Sequence, residues 1–449
     1  MTILETYKNG GLSALAGKTF ECSCGRRHVA DTKALVVQED AIAQLPAVIA
    51  ALQLQGNPLV VCDQLIWKIA GEAVFNTLQQ AGLQPGKHVF ANASMHADEH
   101  AVGSLLFSLQ PNNYLVAVGS GNVCDTVRYV AFATGREFIL VGTAPSMDGY
   151  SSSVAPVLKN GIKTTLECKP PIAVLGDVNI LCDAPAYMVA AGLGDMIGKK
   201  TALLDWELAR DIEGEYYCEE LAELSNYAAQ RCIDAASGLA SREKQAIAHL
   251  MEGLILSGIA IQLMGNSRPA SGAEHHVSHY LEMTDALTHR EGRLHGDKVG
   301  VGTLMVMRFY QRFFSAEMPQ EMSLETFEQW EAGMRASYGA LAQDIMDTSK
   351  HLHPPLANWP QQKQLLTAHW AQYVQKAQAL VQNHDLYAQS LHNAGGPISM
   401  PEMEYTKQEM LSVLIYSKEV RERFTIMRLI ERFGLLTTYA EDLANEIYN

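Results

Sequence analysis

The chain is short of positive charge. Lys and Arg number 34 against 49 Asp and Glu, a formal net charge of −15 over 449 residues. That balance speaks against non-specific nucleic-acid binding and against docking on an anionic membrane. It leaves the substrate open, because one pocket can oppose the global sign. Long hydrophobic runs are lacking too: none approaches the ~20 residues a membrane-spanning helix needs. The opening "MTILETYKNGGLSALAG" has no basic-then-apolar leader. The expectation is a cytoplasmic protein with no membrane insertion and no nucleic-acid partner. Cysteines number eight, scattered along the chain, and without an export signal they are expected as reduced thiols. Cys22 and Cys24 in "ECSCGRRH" make, with His28, part of a zinc knuckle. No second ligand cluster lies near in sequence, so a turn built of small residues is the favoured reading.

The first ~180 residues alternate short apolar runs with amphipathic stretches. "ALVV" (34–37), "PLVVC" (58–62), "HVF" (88–90), "YLVAVGS" (114–120), "FILVGT" (138–143) and "IAVLGD" (172–177) read as buried strands, rich in Val, Ile and Leu and bounded by turn residues. Helical patterns lie between several of them, at 41–55 and 64–82. Such alternation predicts a parallel sheet flanked by helices, binding its ligand at the carboxyl ends of the strands. After about residue 184 the strand-like runs nearly vanish and helical periodicity takes over. The expected organisation is an α/β domain over 1–183 and an all-α domain over 184–449. Residues 340–400 are polar and read as a peripheral helical segment.

Two regions carry chemistry. In "YLVAVGSGNVCDTVRY" a strand ends in Gly119-Ser120-Gly121 and a helix follows, with Asp125 near its start. Glycines there let a phosphate approach the backbone, and a helix N-terminus offers free N–H groups and a positive dipole end. The G-x-G-x-x-G fingerprint is incomplete, because Cys124 holds its last position, and a plain strand-to-helix turn fits as well. The next strand runs into "VGTAPSMDGYSSS", a hydroxyl-rich loop with one carboxylate, Asp148. It suits a polar ligand or a solvated loop. Asp63, after the second strand, suits a ribose contact or a helix cap.

In "SGAEHHVSHYLEM", His275 and His279 are four apart and share a helix face, whereas His276 is rotated about 100° away. His-x-x-x-His often binds a metal, but a zinc protease needs Glu directly after the first His, and His276 stands there. "GRLHGDK" offers His295 and "AAGLGDMIGKK" offers Asp195. An acid and histidines from separate helices can close on one divalent ion. Singly, each also reads as a capping or solvated residue.

Together and in order, "GSGNVCDTVRY", "GTAPSMDGYSSS", "GLGDMIGKKTALLDWELA", "GAEHHVSHYLE" and "LHGDKVGVGT" resemble the sn-glycerol-1-phosphate dehydrogenases. That family lies in the superfamily of iron-type alcohol dehydrogenases, glycerol dehydrogenase and dehydroquinate synthase. "CSCGRRH" and "RERFTIMRLIERFGLL" look like its bacterial branch encoded with arabinose-utilisation genes. The likeness covers about 20–310 and, more loosely, 415–440. It implies a Rossmann-like nucleotide domain, a helical metal domain and an active site in the cleft between them. It also implies NAD(H)-linked interconversion of dihydroxyacetone phosphate and sn-glycerol 1-phosphate at a divalent metal (zinc, nickel or iron). By the likeness the metal ligands are Asp195, His275 and His295, and Asp148 and His279 contact substrate. Gly119, Gly121, Asn122, Val123, Cys124 and Asp125 form the pyrophosphate loop. Thr143, Ala144, Pro145, Ser146 and Ser152 contact the cofactor. Asp63 at the ribose favours NAD over NADP, since a 2′-phosphate would meet a like charge.

Lys199, one turn after Asp195, is a candidate for the phosphate of the small triose substrate, with a solvated helix lysine as the bland alternative. A homodimer is expected by family and by base rate. Residues 320–410 depart from the pattern as an insertion, and Cys124 departs within the pyrophosphate loop. A polyol dehydrogenase of the same superfamily, a lyase like dehydroquinate synthase and a non-enzymatic sugar-phosphate sensor are the competing readings.

Overall fold

The computed structural model describes residues 1–91, 95–159, 162–353 and 358–449. Among the described residues ten strands form, all before residue 178: β1 (Thr19–Glu21), β2 (Arg27–Val29), β3 (Ala34–Gln38), β4 (Asn57–Asp63), β5 (Gly86–Phe90), β6 (Asn113–Gly119), β7 (Phe138–Gly142), β8 (Val154–Lys159), β9 (Ile162–Glu167) and β10 (Ala173–Asp177). Six of them make one parallel sheet in the order β3-β10-β7-β6-β4-β5. These six are the apolar runs singled out above. Strands β7 and β10 are buried throughout, and β4 and β6 at all but their first residue, as a sheet covered on both faces requires. Val60, Cys62, Val116, Val118, Ile139, Val141 and Leu175 form its core with Val74 and Leu78 of a flanking helix. The remaining strands pair as two antiparallel hairpins, β1–β2 and β8–β9.

Strand order reverses at β4 and β6. From β4 the chain goes outward to β5, then returns to the other side of β4 and continues through β6, β7 and β10. The crevice outside the carboxyl ends at such a reversal is where open α/β sheets take their ligands. Asp63 ends β4 and Gly119 ends β6.

By contacts the chain groups into two compact units, Met1–Met196 with Glu219–Ser267, and Ile197–Cys218 with Arg268–Asn449. The first holds the sheet. It also holds the helix Lys244–Met264, which corrects one expectation: it is long and apolar enough to cross a membrane, but is mostly buried inside this unit. The gap in the sequence reading is plain, since His249, Glu252, Ser257 and Gln262 interrupt the apolar run while its mean hydropathy still reaches 1.6. The second unit is helical. The helices Ala273–Leu287 and His295–Phe313 pack closely there, with Gly302 against the carbonyl of Glu274, where a Cβ would come within 2.9 Å. Residues 320–410 are helical too, at Phe327–Tyr338, Ala342–Ser349, Trp359–Val381 and His384–Asn393. They bury Trp330, Met334, Tyr338, Leu366, Tyr373 and Tyr387, so the segment has a packed side beneath its polar one.

Candidate active site

In the first unit the nucleotide signals fall at the carboxyl ends of β4, β6 and β7. Gly119 pairs with Gly142 across β6 and β7. Gly119 has φ +156°, and a Cβ there would meet the Val123 side chain at 3.0 Å, so glycine brings the strand end against the first turn of the helix Gly121–Ala133. Ser120 caps that helix with no side-chain bond. Asn122 instead donates to the Met95 carbonyl at 2.8 Å. The side chains of Cys124 and Asp125 turn to the fully buried Arg128, whose guanidinium lies 2.7 Å from Asp125 and 3.0 Å from the Cys124 sulfur. Arg128 also donates to the carbonyls of Gly149 and Val154. This pair therefore ties the 119–125 turn to the 143–152 loop. Asp63 caps a short helical turn, accepting from the Ile66 N–H at 2.8 Å.

The 143–152 loop is clamped from below. Ala144 and Ser146 are buried, and Ser146 meets the Tyr150 hydroxyl at 3.2 Å. Ser152 Oγ accepts from the Val154 N–H. A Cβ at Gly192 would fall 1.9 Å from the Pro145 carbonyl, and one at Gly258 would fall 2.3 Å from Ser151 Oγ. Only glycine lets the two helices approach the loop so closely. Asp148 accepts from Ser257 Oγ at 2.8 Å, and its own N–H donates to Asp195 Oδ2 at 2.9 Å. Asp195 lies in the third turn of the 28-residue helix Ala186–Glu213 and is fully buried, so it neither caps that helix nor faces solvent. Lys199, one turn on, is fully buried as well, which removes the solvated-lysine reading.

In the second unit three imidazoles gather. Ring centroids of His275 and His295 are 5.2 Å apart, of His279 and His295 5.5 Å, and of His275 and His279 6.1 Å. Each has its Nδ1 engaged. His275 Nδ1 bonds Glu274 Oε1 at 2.7 Å. His295 Nδ1 lies 3.0 Å from both Ser278 Oγ and Glu282 Oε1. His279 Nδ1 lies 3.2 Å from Glu282 Oε2. A carboxylate on Nδ1 fixes the tautomer that offers Nε2 as a lone pair, the usual support of a metal-binding histidine. Glu274 is fully buried. Burial would raise its pKa, but bonds from His275, the Gly272 N–H and Thr201 outweigh that and hold it below the usual range, as a carboxylate. One nitrogen each of His275 and His295, both in this unit, lie within 4.8 Å of one another. Two imidazoles and a carboxylate are a donor set that zinc, nickel and ferrous iron all accept.

His279 is held down to about 3, by burial first, against the pull of Glu282 and with the Arg421 charge adding to the depression. It is neutral at physiological pH. His276 is fully buried, points away from the other three and finds no hydrogen-bond partner among the described residues. Burial, then Arg423 and Arg421, push its pKa far down. These arginines were missed in the sequence, where "RERF" was used only as a family mark. Arg423 is lowered to about 9 by burial and by the like charges of Arg421 and Arg268. It donates to the Ser271 carbonyl at 3.0 Å. Arg421 faces the acidic side of the histidine cluster at Glu282. The available signal was Arg421 and Arg423 flanking Glu422 directly before the stretch "FTIM".

A family model described as iron-containing alcohol dehydrogenase matches residues 36–185. The glycerol-1-phosphate dehydrogenase (NAD(P)+) of Bacillus licheniformis is 32% identical over 420 residues, which is 92% of this chain and 93% of that protein. The chain belongs to the glycerol-1-phosphate dehydrogenases. An archaeal glycerol-1-phosphate dehydrogenase (NAD(P)+), from Sulfurisphaera tokodaii, is 34% identical over 284 residues, 63% of this chain and 78% of its own. Among solved structures, glycerol dehydrogenase from Schizosaccharomyces pombe aligns with a TM-score of 0.59 over 92% of this chain and 90% of its own, at 16% identity. That likeness speaks for the fold alone. As in the rest of the iron-containing alcohol dehydrogenase superfamily, a glycerol-1-phosphate dehydrogenase is an NAD(P)-linked, metal-dependent oxidoreductase.

Proposed function

We propose that the protein interconverts dihydroxyacetone phosphate and sn-glycerol 1-phosphate with NAD(H), at a divalent metal held by Asp195, His275 and His295. The observation that carries this is the pair of imidazole nitrogens of His275 and His295 within 4.8 Å of one another, with the Nδ1 of each ring already satisfied. When bound, the metal supplies Lewis-acid polarisation of the substrate carbonyl and the dinucleotide supplies the hydride.

The chain's own groups do the rest. The 119–125 turn and the helix N-terminus behind it receive the pyrophosphate, through Gly119, Gly121 and the backbone of Asn122, Val123, Cys124 and Asp125. Thr143 to Ser146 and Ser152 line the cofactor loop. Asp63, at the switch point of the sheet, takes the ribose, and its charge disfavours a 2′-phosphate, so NAD is preferred. Asp148, fixed by Ser257, orients a substrate hydroxyl. His279 is neutral with Nδ1 on Glu282, and holds or delivers the proton of the substrate oxygen at Nε2. Arg421 and Arg423, crowded by like charge, suit the substrate phosphate dianion, with Lys199 as a further buried cation. The protein works as a homodimer.

NADH oxidation with dihydroxyacetone phosphate, across added zinc, nickel and ferrous iron, tests this directly, with chiral analysis of the product. Turnover of dihydroxyacetone that equals or exceeds that of its phosphate would instead make it a polyol dehydrogenase. No net NADH consumption with either would overturn the oxidoreductase reading.

A further inference from the structure

The geometry points to a second, structural metal site. We propose that Cys22, Cys24, His28 and Cys218 bind one zinc ion as a tetrahedral Cys3His centre. The β1–β2 hairpin turns through "CSCGR". Gly25, at φ +84°, closes the turn with its N–H on the Cys22 carbonyl at 3.0 Å, which leaves both sulfurs at the tip. His28 lies on β2, and its Nε2 is 3.3 Å from the Cys24 sulfur. Its Nδ1 bonds the Leu263 carbonyl at 2.6 Å. A carbonyl only accepts, so the proton is on Nδ1 and Nε2 presents a lone pair, the tautomer a metal needs.

The fourth sulfur comes from far along the chain. Cys218 directly precedes the helix Glu219–Asp234, and Glu220 in that helix's first turn accepts from the Ser23 N–H at 3.2 Å and the Ser23 hydroxyl at 3.0 Å. The residue between the two hairpin cysteines is therefore pinned beside the residue after next from Cys218. The ligand atoms of Cys22, Cys24 and His28 lie within 4.8 Å of one another, and Cys218 is bonded directly to the first residue of the helix held against them. Zinc with Zn–S near 2.3 Å and Zn–N near 2.0 Å separates its tetrahedral ligands by roughly 3.5–3.8 Å, so small side-chain adjustments close the site. Three thiols give up their protons to solvent as the ion enters. Three soft thiolates select zinc over the harder divalent ions that carboxylate-rich sites accept. The hairpin's lone cysteine pair failed as a metal motif in the sequence because its partner is almost two hundred residues away.

Metal analysis of the purified full-length protein tests this. His275→Ala should retain about one zinc per chain, and Cys24→Ser or Cys218→Ser should each lose one zinc equivalent while keeping NADH turnover. Two measurements need no variant. Cobalt-substituted protein should show a thiolate-to-cobalt charge-transfer band, and the three ligand cysteines should resist a thiol reagent until a chelator is added. The proposal is overturned if His275→Ala binds no zinc, if the wild-type thiols at 22, 24 and 218 react at free-thiol rates without chelator, or if peptide mapping finds Cys22 and Cys24 joined as a disulfide.

Discussion

At the scale of single residues, the four histidines of the second unit separate by what each ring bonds. His275 and His295 carry carboxylate or hydroxyl partners on Nδ1 and keep Nε2 for a ligand. His279 shares Glu282 with His295. His276 finds no polar partner among the described residues. His275→Ala is therefore expected to lose the active-site metal and turnover together. His279→Ala should keep the metal and lower kcat by about 10²–10⁴-fold, the usual contribution of a positioned proton donor. Metal content and kcat measured side by side decide it, and retained metal in His275→Ala would remove that residue from the ligand set. Glu274 acts through the His275 ring, whose Nδ1 it bonds. Glu274→Gln should weaken metal affinity by about 10–100-fold, because the amide no longer holds the His275 tautomer. Metal titration by competition with a chelator reads this apart from catalysis. Arg423→Ala should raise KM for dihydroxyacetone phosphate and leave turnover of dihydroxyacetone itself unchanged. A variant equally impaired with both substrates would move the phosphate elsewhere.

At the scale of elements, the loop 143–152 is positioned by two glycines on two helices. Gly192→Ala places a Cβ where the Pro145 carbonyl stands. A main-chain atom on one side and a helix on the other leave no flexible end to yield, so the loop must shift. The expected result is a raised KM for NADH with metal content intact. An unchanged KM would show that the loop does not contact the cofactor. This is also where sequence legibility divides. All six sheet strands were readable, because β4, β6, β7 and β10 are covered on both faces and so are near-continuous Val, Ile and Leu. The two hairpins were not. β1 and β2 are three residues each with an exposed-buried-exposed pattern, too short for a period to register. The proposed ligands Asp195, His275 and His295 stand out only through their motifs, since an acid inside an apolar helix also reads as a cap. Arg421 and Arg423 were invisible for the opposite reason. Charged residues are presumed exposed, and the partial burial of these two follows from tertiary packing that no local pattern records.

At the scale of the whole molecule, a buried ion cluster fastens the 320–410 segment to the segment around residue 420. Glu419 is fully buried and sits 2.9 Å from both Lys418 and Arg428. Glu431 accepts from Lys418 at 2.9 Å and from Arg428 at 2.8 Å. His353 and the Trp330 indole bring the segment's own donors to Glu419, at 3.0 and 3.2 Å. Burial alone would raise the pKa of both acids. Arg428 and Lys418 outweigh it and hold Glu419 well below the carboxylate range, with Glu431 lowered too. A carboxyl whose folded pKa is depressed contributes stability that is present above its unfolded pKa, near 4.3, and is lost as pH falls through the folded value. Asp205 runs the other way. Burial, then Glu274, raises it to about 7, so its cost is fully present above pH 7 and is relieved as pH falls toward 4. Between about pH 7 and 5 the protein is thus expected to hold or gain stability, and below about pH 4.5 to lose it steeply. Glu419→Gln leaves two cations without that partner in the interior and should cost about 3–5 kcal/mol at pH 7. It should also flatten the acid limb of the Tm–pH curve, because the group that titrates there is gone. Thermal melts of wild type and variant from pH 3 to 8 check both statements. Parallel curves, offset but equally steep in acid, would mean that other carboxylates carry the acid limb.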